Sequence, residues 1–324
     1  MALMRKRIIG LILINALFIT IMAILRPAFI STANVRILLS GWSLESIIMV
    51  GMTMLLVAQL FDLSTDGVVA VSGVVAGLLM KQYGATPVEA IAAALAIGML
   101  VGLINGLLVM YVGINPLIVT LGMWWVMIGA AYGLTKSISP YGFSESFQQI
   151  GQARILGLRI FVWYAVVIVG ALWIVLSKTR IGRHIYIIGG NSEAGRLFGV
   201  QTKRLGVGLF VLMGFLSAFV GVVFAARLNA GTPNAVDGMA MRVVAAAVIG
   251  GCAMKGGRGS IVAGLFGLML LGMLGNACIL LGISPYWQKS LMGLVLLTAL
   301  MIDAVSGKVN FKELIHLKRR DTDG

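Results

Sequence analysis

A long segment without charged residues is the feature that most constrains this chain. Residues 90–135 contain no Asp, Glu, Lys or Arg. About 20 consecutive apolar residues are enough for a helix to cross the hydrocarbon core of a bilayer, so the segment is long enough to cross twice. The break between the crossings is predicted at residues 113–116, because Pro116 cannot continue a helix and disfavours helix in the residue before it. The sequence therefore predicts an integral membrane protein.

The overall composition agrees with this prediction. Of the 324 residues, 60% are hydrophobic and 11% are charged, whereas a soluble domain carries about 25% charged residues. The 42 glycines are typical of membrane helices that pack closely against one another. A net charge of +14 would suggest a nucleic-acid partner for a soluble protein. In a membrane protein it instead indicates orientation, and we expect no nucleic-acid partner.

Hydropathy predicts an all-α fold with about ten transmembrane helices. Two of the predicted spans, 63–80 and 243–254, are short, and either is predicted to be a broken or re-entrant helix, which needs shielding by protein or by a water-filled cavity. An even number of spans places both termini on one side, and the distribution of Lys and Arg predicts that this side is the cytoplasm. The predicted spans are residues 8–25, 43–61, 63–80, 90–111, 115–135, 160–177, 205–226, 243–254, 261–281 and 285–302.

The two halves of the chain share a pattern. Asn105 and Pro116 flank the junction between two spans, and Asn276 and Pro285 flank a second junction. In the predicted topology the two hairpins enter the membrane from opposite sides. An inverted repeat has this arrangement, and such repeats commonly place a substrate site at their interface.

Residues 178–204 form a basic segment between two predicted spans, with Glu193 as its single acid. Asn191 or Ser192 can cap the start of a helix, and Glu193 would then lie in the first turn, where the helix dipole favours an acid. Gly199 can end the helix in the left-handed conformation. We therefore predict a short cytoplasmic helix at about residues 192–198. The alternative is a solvated loop whose basic residues only set the topology.

Polar residues inside the predicted spans are candidates for a solute pathway. An acid within a span is costly and usually faces an aqueous cavity or a partner, although it can also lie in a loop at a helix junction. The amides and hydroxyls can bind a hydroxylated solute or bond neighbouring helices, and the tryptophan can stack on a sugar or belong to the interfacial aromatic belt. The candidates are Asp62, Asn105, Asn115, Thr120, Trp124 and Asn276.

The chain shows no pattern for catalysis or for a bound cofactor. Its two histidines, His184 and His316, lie far apart in sequence outside any metal-binding motif, and no phosphate-binding G-x-x-x-x-G-K-[ST] pattern occurs. The glycines of residues 250–251 and 256–259 are instead predicted to permit a tight turn between membrane segments. We therefore expect no enzyme, no metal and no cofactor.

Four ordered segments resemble one family of transport proteins. The segment "KTRIGRHIYIIGGNSEAGRLFGV" resembles the EAA-type coupling loop of permeases in ATP-binding cassette importers, and more narrowly that of the ribose, xylose and related sugar permeases. The segments "VGMTMLLVAQLFDLSTDGVVAVSG", "NPLIVTLGM" and "AAAVIGGCAMKGGRGSIVAGLFG" resemble the same family. Together the resemblance covers about residues 43–303.

This resemblance implies a single transmembrane permease domain over residues 1–324 of a bacterial inner-membrane protein, with a coupling loop at 178–204 and a basic cytoplasmic tail at 304–324. It implies a second permease subunit, identical or different, cytoplasmic ATPase subunits that hydrolyse ATP, an extracytoplasmic solute-binding protein and surrounding membrane lipid. The residues that it assigns to coupling are Gly190, Asn191, Glu193, Ala194 and Gly199.

Two segments depart from the family pattern. Leu60 and Phe61 precede Asp62 where the family usually has Gly-Ile, and Thr65-Asp66-Gly67 follow Ser64 where it has Val-Gly. Ala240 and Arg242 stand where the family often carries two acids. These changes put the usual substrate in doubt and leave the fold prediction intact.

The sequence thus predicts the permease subunit of an ATP-driven importer for a sugar or sugar-like polar solute that works by alternating access. One alternative is a secondary transporter driven by an ion gradient, for which Asp62 and Asp66 are the central acids. Another is a related importer permease for nucleosides or amino acids.

Overall fold

The structure, a computed structural model, describes residues 2–284, 286–288, 290–291, 293–294, 297–298 and 301. Helices dominate these residues. They are α1 (Ala2–Leu25), α2 (Thr32–Val57), α3 (Thr65–Gln82), α4 (Pro87–Leu107), α5 (Pro116–Thr135), α6 (Glu145–Gln152), α7 (Ile160–Lys178), α8 (Arg180–Leu197), α9 (Thr202–Leu228), α10 (Met239–Ile249) and α11 (Ile261–Leu280). The prediction of an all-α membrane protein is confirmed.

Seven of the described helices are long and apolar enough to cross a membrane: α1, α2, α4, α5, α7, α9 and α11. Each corresponds to a predicted span, although α2 begins at Thr32, well before the predicted start at residue 43, because its first turns include the polar residues Asn34 and Arg36 that lower the local hydropathy. The predicted span at residues 285–302 lies largely outside the described residues, and the basic tail at 304–324 lies wholly outside them. The count of ten crossings therefore stays a prediction.

The predicted break in the uncharged segment is confirmed. Helix α4 continues into a π-helical turn, Leu108–Val112, and ends where Gly113 adopts a φ of +86°. Helix α5 then begins at Pro116, and the side chain of Asn115 accepts a hydrogen bond from the backbone N–H of Leu117 at 2.8 Å. A left-handed glycine followed by a capped proline turns the chain back into the membrane.

Helices α3 and α10 correspond to the two short predicted spans. Helix α3 has 18 residues, most of them buried among the other helices. Helix α10 has 11 residues, which is about 16 Å at 1.5 Å per residue and about half of the hydrocarbon thickness. Helix α10 is therefore a half-helix, and the irregular segment 229–238 that leads into it buries Gly231, Pro233 and Val236.

The glycines of α4 let it pack closely on α9. A Cβ atom on Gly98 would collide with the carbonyl oxygen of Gly214, and one on Gly214 would collide with the carbonyl oxygen of Gly98. A Cβ atom on Gly102 would likewise collide with the carbonyl oxygen of Phe210. Membrane helices associate through such close packing, because lipid gives apolar side chains little reason to pair.

The loop at residues 136–159 contains structure that its composition did not indicate. It holds α6 and a two-stranded antiparallel hairpin, β1 (Arg154–Ile155) and β2 (Leu158–Arg159). The two turn residues, Leu156 and Gly157, both have positive φ, which matches the right-handed twist of a two-residue hairpin. We call the end of the molecule that carries this loop the hairpin end, and the opposite end the α8 end.

Candidate solute pathway and coupling segment

A buried hydrogen-bonded chain joins Asp62, Ser64 and Asn105 where α3 begins. The Oδ1 atom of Asp62 accepts from the backbone N–H of Ser64 at 2.9 Å and from its hydroxyl at 2.5 Å, and the Nδ2 atom of Asn105 donates to the Ser64 hydroxyl at 3.0 Å. Asp62 is 2% exposed and Asn105 is fully buried. The structure thus brings two of the predicted pathway residues together, through a serine that the sequence analysis did not single out.

The first turns of α3 and α10 meet beside this chain. The Oδ1 atom of Asp66, in the first turn of α3, accepts a hydrogen bond from the backbone N–H of Ala240 at 2.8 Å. Ala240 lies in the first turn of α10, where N–H groups lack partners within the helix and the dipole is positive. A carboxylate is therefore well placed there, and it holds the start of the half-helix against α3.

An ion pair adjoins the same junction. Both the Nε and Nη2 atoms of Arg242 contact the Oε1 atom of Glu45 in α2, at 3.1 and 3.0 Å. The side chain of Arg242 is 35% exposed and that of Glu45 is 18% exposed. In the sequence, Arg242 stood out only because it departs from the family pattern. Glu45 was not singled out, although it is the single acid within its predicted span and could have been recognised on that ground.

Three other residues predicted for the pathway form hydrogen bonds with the helix to which they belong or with a neighbouring helix. Asn115 caps α5, and the hydroxyl of Thr120 donates to the carbonyl of Pro116 at 2.8 Å, one turn earlier. Asn276 and Asn34 exchange two amide hydrogen bonds at 2.8 and 2.9 Å, which join α11 to α2. The amide of Asn276 is therefore occupied by a helix–helix contact.

Trp124 packs against the start of α3. An ideal Cβ atom on Gly67 would lie 2.9 Å from the carbonyl oxygen of Trp124, so the two backbones touch. The indole Nε1 atom of Trp124 is buried without a hydrogen-bond partner among the described residues, as is the Oδ1 atom of Asn105. A buried polar atom without a partner is costly. Near α3, the indole N–H can therefore still donate a hydrogen bond, and the amide oxygen can still accept one.

The segment predicted to act in coupling contains a kinked helix. Helix α8 is interrupted at Asn191, whose backbone is extended (φ −160°, ψ 99°), and whose side chain accepts from the backbone N–H of Ala194 at 2.9 Å. The helix ends before Gly199, which adopts a φ of +78°. The predicted short helix, its cap and its glycine stop are therefore present, while the helical turns before residue 191 were not predicted. Glu193 is exposed.

The first part of α8 is fastened to the end of α2 and to the glycine-rich turn. A Cβ atom on Gly189 would collide with the carbonyl oxygen of Val57, and this oxygen also accepts a hydrogen bond from the backbone N–H of Gly257 at 2.8 Å. The hydroxyl of Tyr186 donates to the carbonyl of Gly259 at 2.8 Å. Gly256 and Gly257 have positive φ, which confirms the predicted tight turn. Val57 lies five residues before Asp62, so a short stretch of backbone links this contact of α8 to the buried hydrogen-bonded chain.

Comparison with known proteins agrees with this architecture. Residues 34–300 match the family model described as "Branched-chain amino acid transport system / permease component". The ribose import permease protein of Escherichia coli K12 is 34% identical over 304 residues, which cover 92% of this chain and 93% of that protein. No solved structure matches the chain.

Two further relatives are similar over most of the chain. The L-arabinose transport system permease protein of Escherichia coli K12 is 34% identical, covering 92% of this chain and 91% of that protein. The fructose import permease protein of Rhizobium meliloti is 32% identical, covering 88% and 82%. These relatives are transport components, which confirms the prediction of a permease rather than an enzyme. The chain thus belongs to the family of multi-pass membrane proteins described as permease components of branched-chain amino acid transport systems.

Proposed function

We propose that this chain is the membrane permease subunit of an ATP-driven importer, and that its solute is a sugar or a sugar-like polar molecule. Three similar proteins are named as permeases for ribose, L-arabinose and fructose, and each matches at least 88% of the chain. We further propose that the chain lies in a bacterial inner membrane with both termini in the cytoplasm.

The partners follow from this proposal. ATP hydrolysis belongs to a cytoplasmic ATPase, an extracytoplasmic binding protein delivers the solute, and a second permease subunit, identical or different, completes the transporter. The exposed helix after Asn191 is the surface on which the ATPase acts, through Gly190, Asn191, Glu193, Ala194 and Gly199.

The observation that carries the coupling mechanism is the contact between Gly189 and Val57. Because no side chain separates the two backbones, a displacement of α8 moves the end of α2 with it. The segment from Val57 to Asp62 then transmits the displacement to the start of α3. ATP binding shifts the transporter between inward-open and outward-open states only if the ATPase holds α8 differently in the two states.

The solute pathway is proposed beside the junction of α3 and α10. Half-helix N-termini inside a membrane point at anionic groups of the substrate in several transporter folds, and the N-terminus of the half-helix α10 lies against the start of α3 at Ala240 and Asp66. Asp62 and Asn105 stabilise the start of α3, and Thr120 and Trp124 lie on the neighbouring helix α5. Asn115 and Asn276, which were also predicted for the pathway, contribute through the ends and contacts of their helices.

Reconstitution tests this function. The permease in proteoliposomes with its ATPase and binding protein is expected to accumulate a labelled pentose or hexose only when ATP is supplied to the ATPase. Uptake driven by a proton or sodium gradient without the ATPase would identify a secondary transporter instead. ATP-dependent uptake of nucleosides or amino acids, with none of sugars, would retain the importer and overturn the solute class.

A further inference from the structure

Four arginines converge on one cavity at the hairpin end, and no part of the proposed transport cycle uses them. The cavity has a volume of about 280 Å³ and lies between the first turns of α2, the β1–β2 hairpin, the start of α7 and the end of α9. The arginines that line it are Arg36, Arg154, Arg159 and Arg227.

This cluster has no acidic counterpart among the described residues. None of the residues that line the cavity is Asp or Glu, and the salt bridge found in the described part of the chain joins Arg242 to Glu45 elsewhere. Four like charges around one cavity repel one another. The cavity is therefore suited to an anion, and guanidinium groups bind phosphate well because their planar donors match its oxygens.

Two of the arginines are held in place by contacts that do not neutralise their positive charge. The Nη1 atom of Arg159 donates to the carbonyl of Gln152 at 3.0 Å. The guanidinium of Arg227 lies over the rings of Phe161 and Phe224, at 5.3 and 5.8 Å from their centroids. Carbonyls and aromatic faces orient a guanidinium without neutralising it.

An apolar groove continues from the cavity toward the α8 end. It lies between α2, α7 and α11 and has a volume of about 470 Å³. On α2 the groove residues Leu39 and Ser43 each follow a cavity residue, Arg36 and Ser40, by three positions, and on α7 the groove residue Ala165 follows the cavity residue Phe161 by four, so each pair lies on one helix face. The two spaces therefore adjoin along the same pair of helices.

The length of the groove matches one leaflet of a bilayer. Its lining on α7 extends from Val162 to Trp173, which is about 16 Å along a helix, and half of a hydrocarbon core is about 15 Å. Three of the arginines lie at helix ends, in the first turns of α2, just before α7 and in the last turn of α9, and Arg154 lies in β1, paired with Arg159. Helix ends of membrane spans lie at the level of lipid headgroups.

We propose that this cavity and groove bind one anionic phospholipid, with its phosphate among the four arginines and an acyl chain between α2, α7 and α11. Charge alone would accept any soluble phosphate, but the adjoining apolar groove favours a ligand with a hydrocarbon chain. A protein occupant would have to provide both an acidic group and an apolar face of the same length.

Native mass spectrometry of the delipidated full-length permease tests this proposal. The probes are dioleoylphosphatidylglycerol and dioleoylphosphatidylcholine, which share acyl chains and differ in net charge, and soluble glycerol 3-phosphate. We expect phosphatidylglycerol to be retained over phosphatidylcholine by at least about fivefold, since each basic residue near a membrane surface contributes about that factor toward anionic lipid. Equal retention of the two lipids would overturn the proposal.

Matched variants separate the contributions of headgroup and chain. Arg36→Gln with Arg154→Gln, both exposed in the cavity, is expected to reduce the preference at least about fivefold, whereas Arg26→Gln with Arg180→Gln, both exposed elsewhere, should retain it. Gly170 lines the groove and has open space at its Cβ position. Gly170→Phe should therefore reduce lipid retention, and Gly129→Phe on α5, where the Cβ position is also open, should not.

Three other outcomes would contradict the lipid assignment. Binding of glycerol 3-phosphate that is insensitive to Gly170→Phe would indicate a site for a free anion. A permease dimer that excludes phosphatidylglycerol and is weakened by Gly170→Phe would identify the groove as an interface between copies. Loss of lipid preference in the Arg26 and Arg180 control would show that total charge, and not this cavity, determines retention.

Discussion

Gly189 in α8 packs directly on the backbone carbonyl of Val57 at the end of α2, with no space for a side chain between them. The adjacent Gly190 has nothing within 4 Å of its Cβ position. Two neighbouring glycines thus differ sharply in what a methyl group would meet, and this difference provides a controlled test of the link between the coupling segment and the membrane helices.

Gly189→Ala is expected to force α8 away from α2 and to weaken coupling. Overpacking typically costs about 1–3 kcal/mol, so the melting temperature of the purified permease should fall and the ATPase of the assembled transporter should lose stimulation by solute. Gly190→Ala serves as the control for stability alone, because Gly190 is itself proposed to contact the ATPase, and it should change the melting temperature little. An equal fall in melting temperature for the two variants would contradict the proposed contact.

Glu193→Lys is expected to reduce transport-coupled ATPase activity while the protein still inserts into the membrane. Glu193 is exposed just after the kink at Asn191, so the reversal of its charge alters the docking surface without disturbing buried contacts. Glu145→Lys, at an exposed acid in α6, is the control. Uptake and complex assembly that are unchanged by Glu193→Lys would show that this helix does not receive the ATPase.

Asp62→Ala is expected to destabilise the start of α3, since it removes the acceptor for both the N–H and the hydroxyl of Ser64. Leaving buried donors unsatisfied costs about 1–3 kcal/mol. Asp62→Asn keeps a carbonyl acceptor and should retain more of the stability. In Asp62→Ala, the rate of solute uptake should fall more than the amount of permease that assembles with the ATPase. Normal uptake kinetics in this variant would show that Asp62 has only a structural role.

Arg242 and Glu45 should show strong coupling in a double-mutant cycle. Removing one partner leaves an unpaired charge within the protein at a cost of about 3–5 kcal/mol when the pair is buried, and less here because Arg242 is 35% exposed. Arg242→Gln and Glu45→Gln should each lower the melting temperature, and the double variant should be more stable than the sum predicts. Additive effects would show that the ion pair contributes no interaction energy.

Much of the architecture was available from patterns within single segments. The uncharged run at residues 90–135 predicted two membrane helices and their break, because the length of an apolar helix and the geometry of proline are local properties. The cap at Asn191 and the stop at Gly199 were predicted for the same reason. The small elements of the 136–159 loop were missed, since α6 is held by contacts such as that of Gly151 with the backbone of α9, and those contacts depend on chain segments far apart in sequence.

The candidate site was only partly predictable. Asp62 and Asn105 stood out as polar residues in apolar surroundings, but Ser64, which joins them, resembles many serines that bond only to their own helix. Asn276 stood out equally, yet its amide is paired with Asn34. A polar side chain in a membrane span must find a partner, and the sequence does not specify whether that partner is a solute or another helix.

By itself, the sequence determined that this chain is a helical membrane protein, where most of its main spans lie, and that a short capped helix stands between two of them, because hydrophobic length, proline and caps act within a few residues. Only the tertiary structure decided that Asp66 meets the half-helix at Ala240, that Arg242 pairs with Glu45, and that four arginines from three separate segments surround one cavity. Those relationships depend on how closely glycine-lined helices approach one another, and close approach is a property of two surfaces rather than of either segment alone.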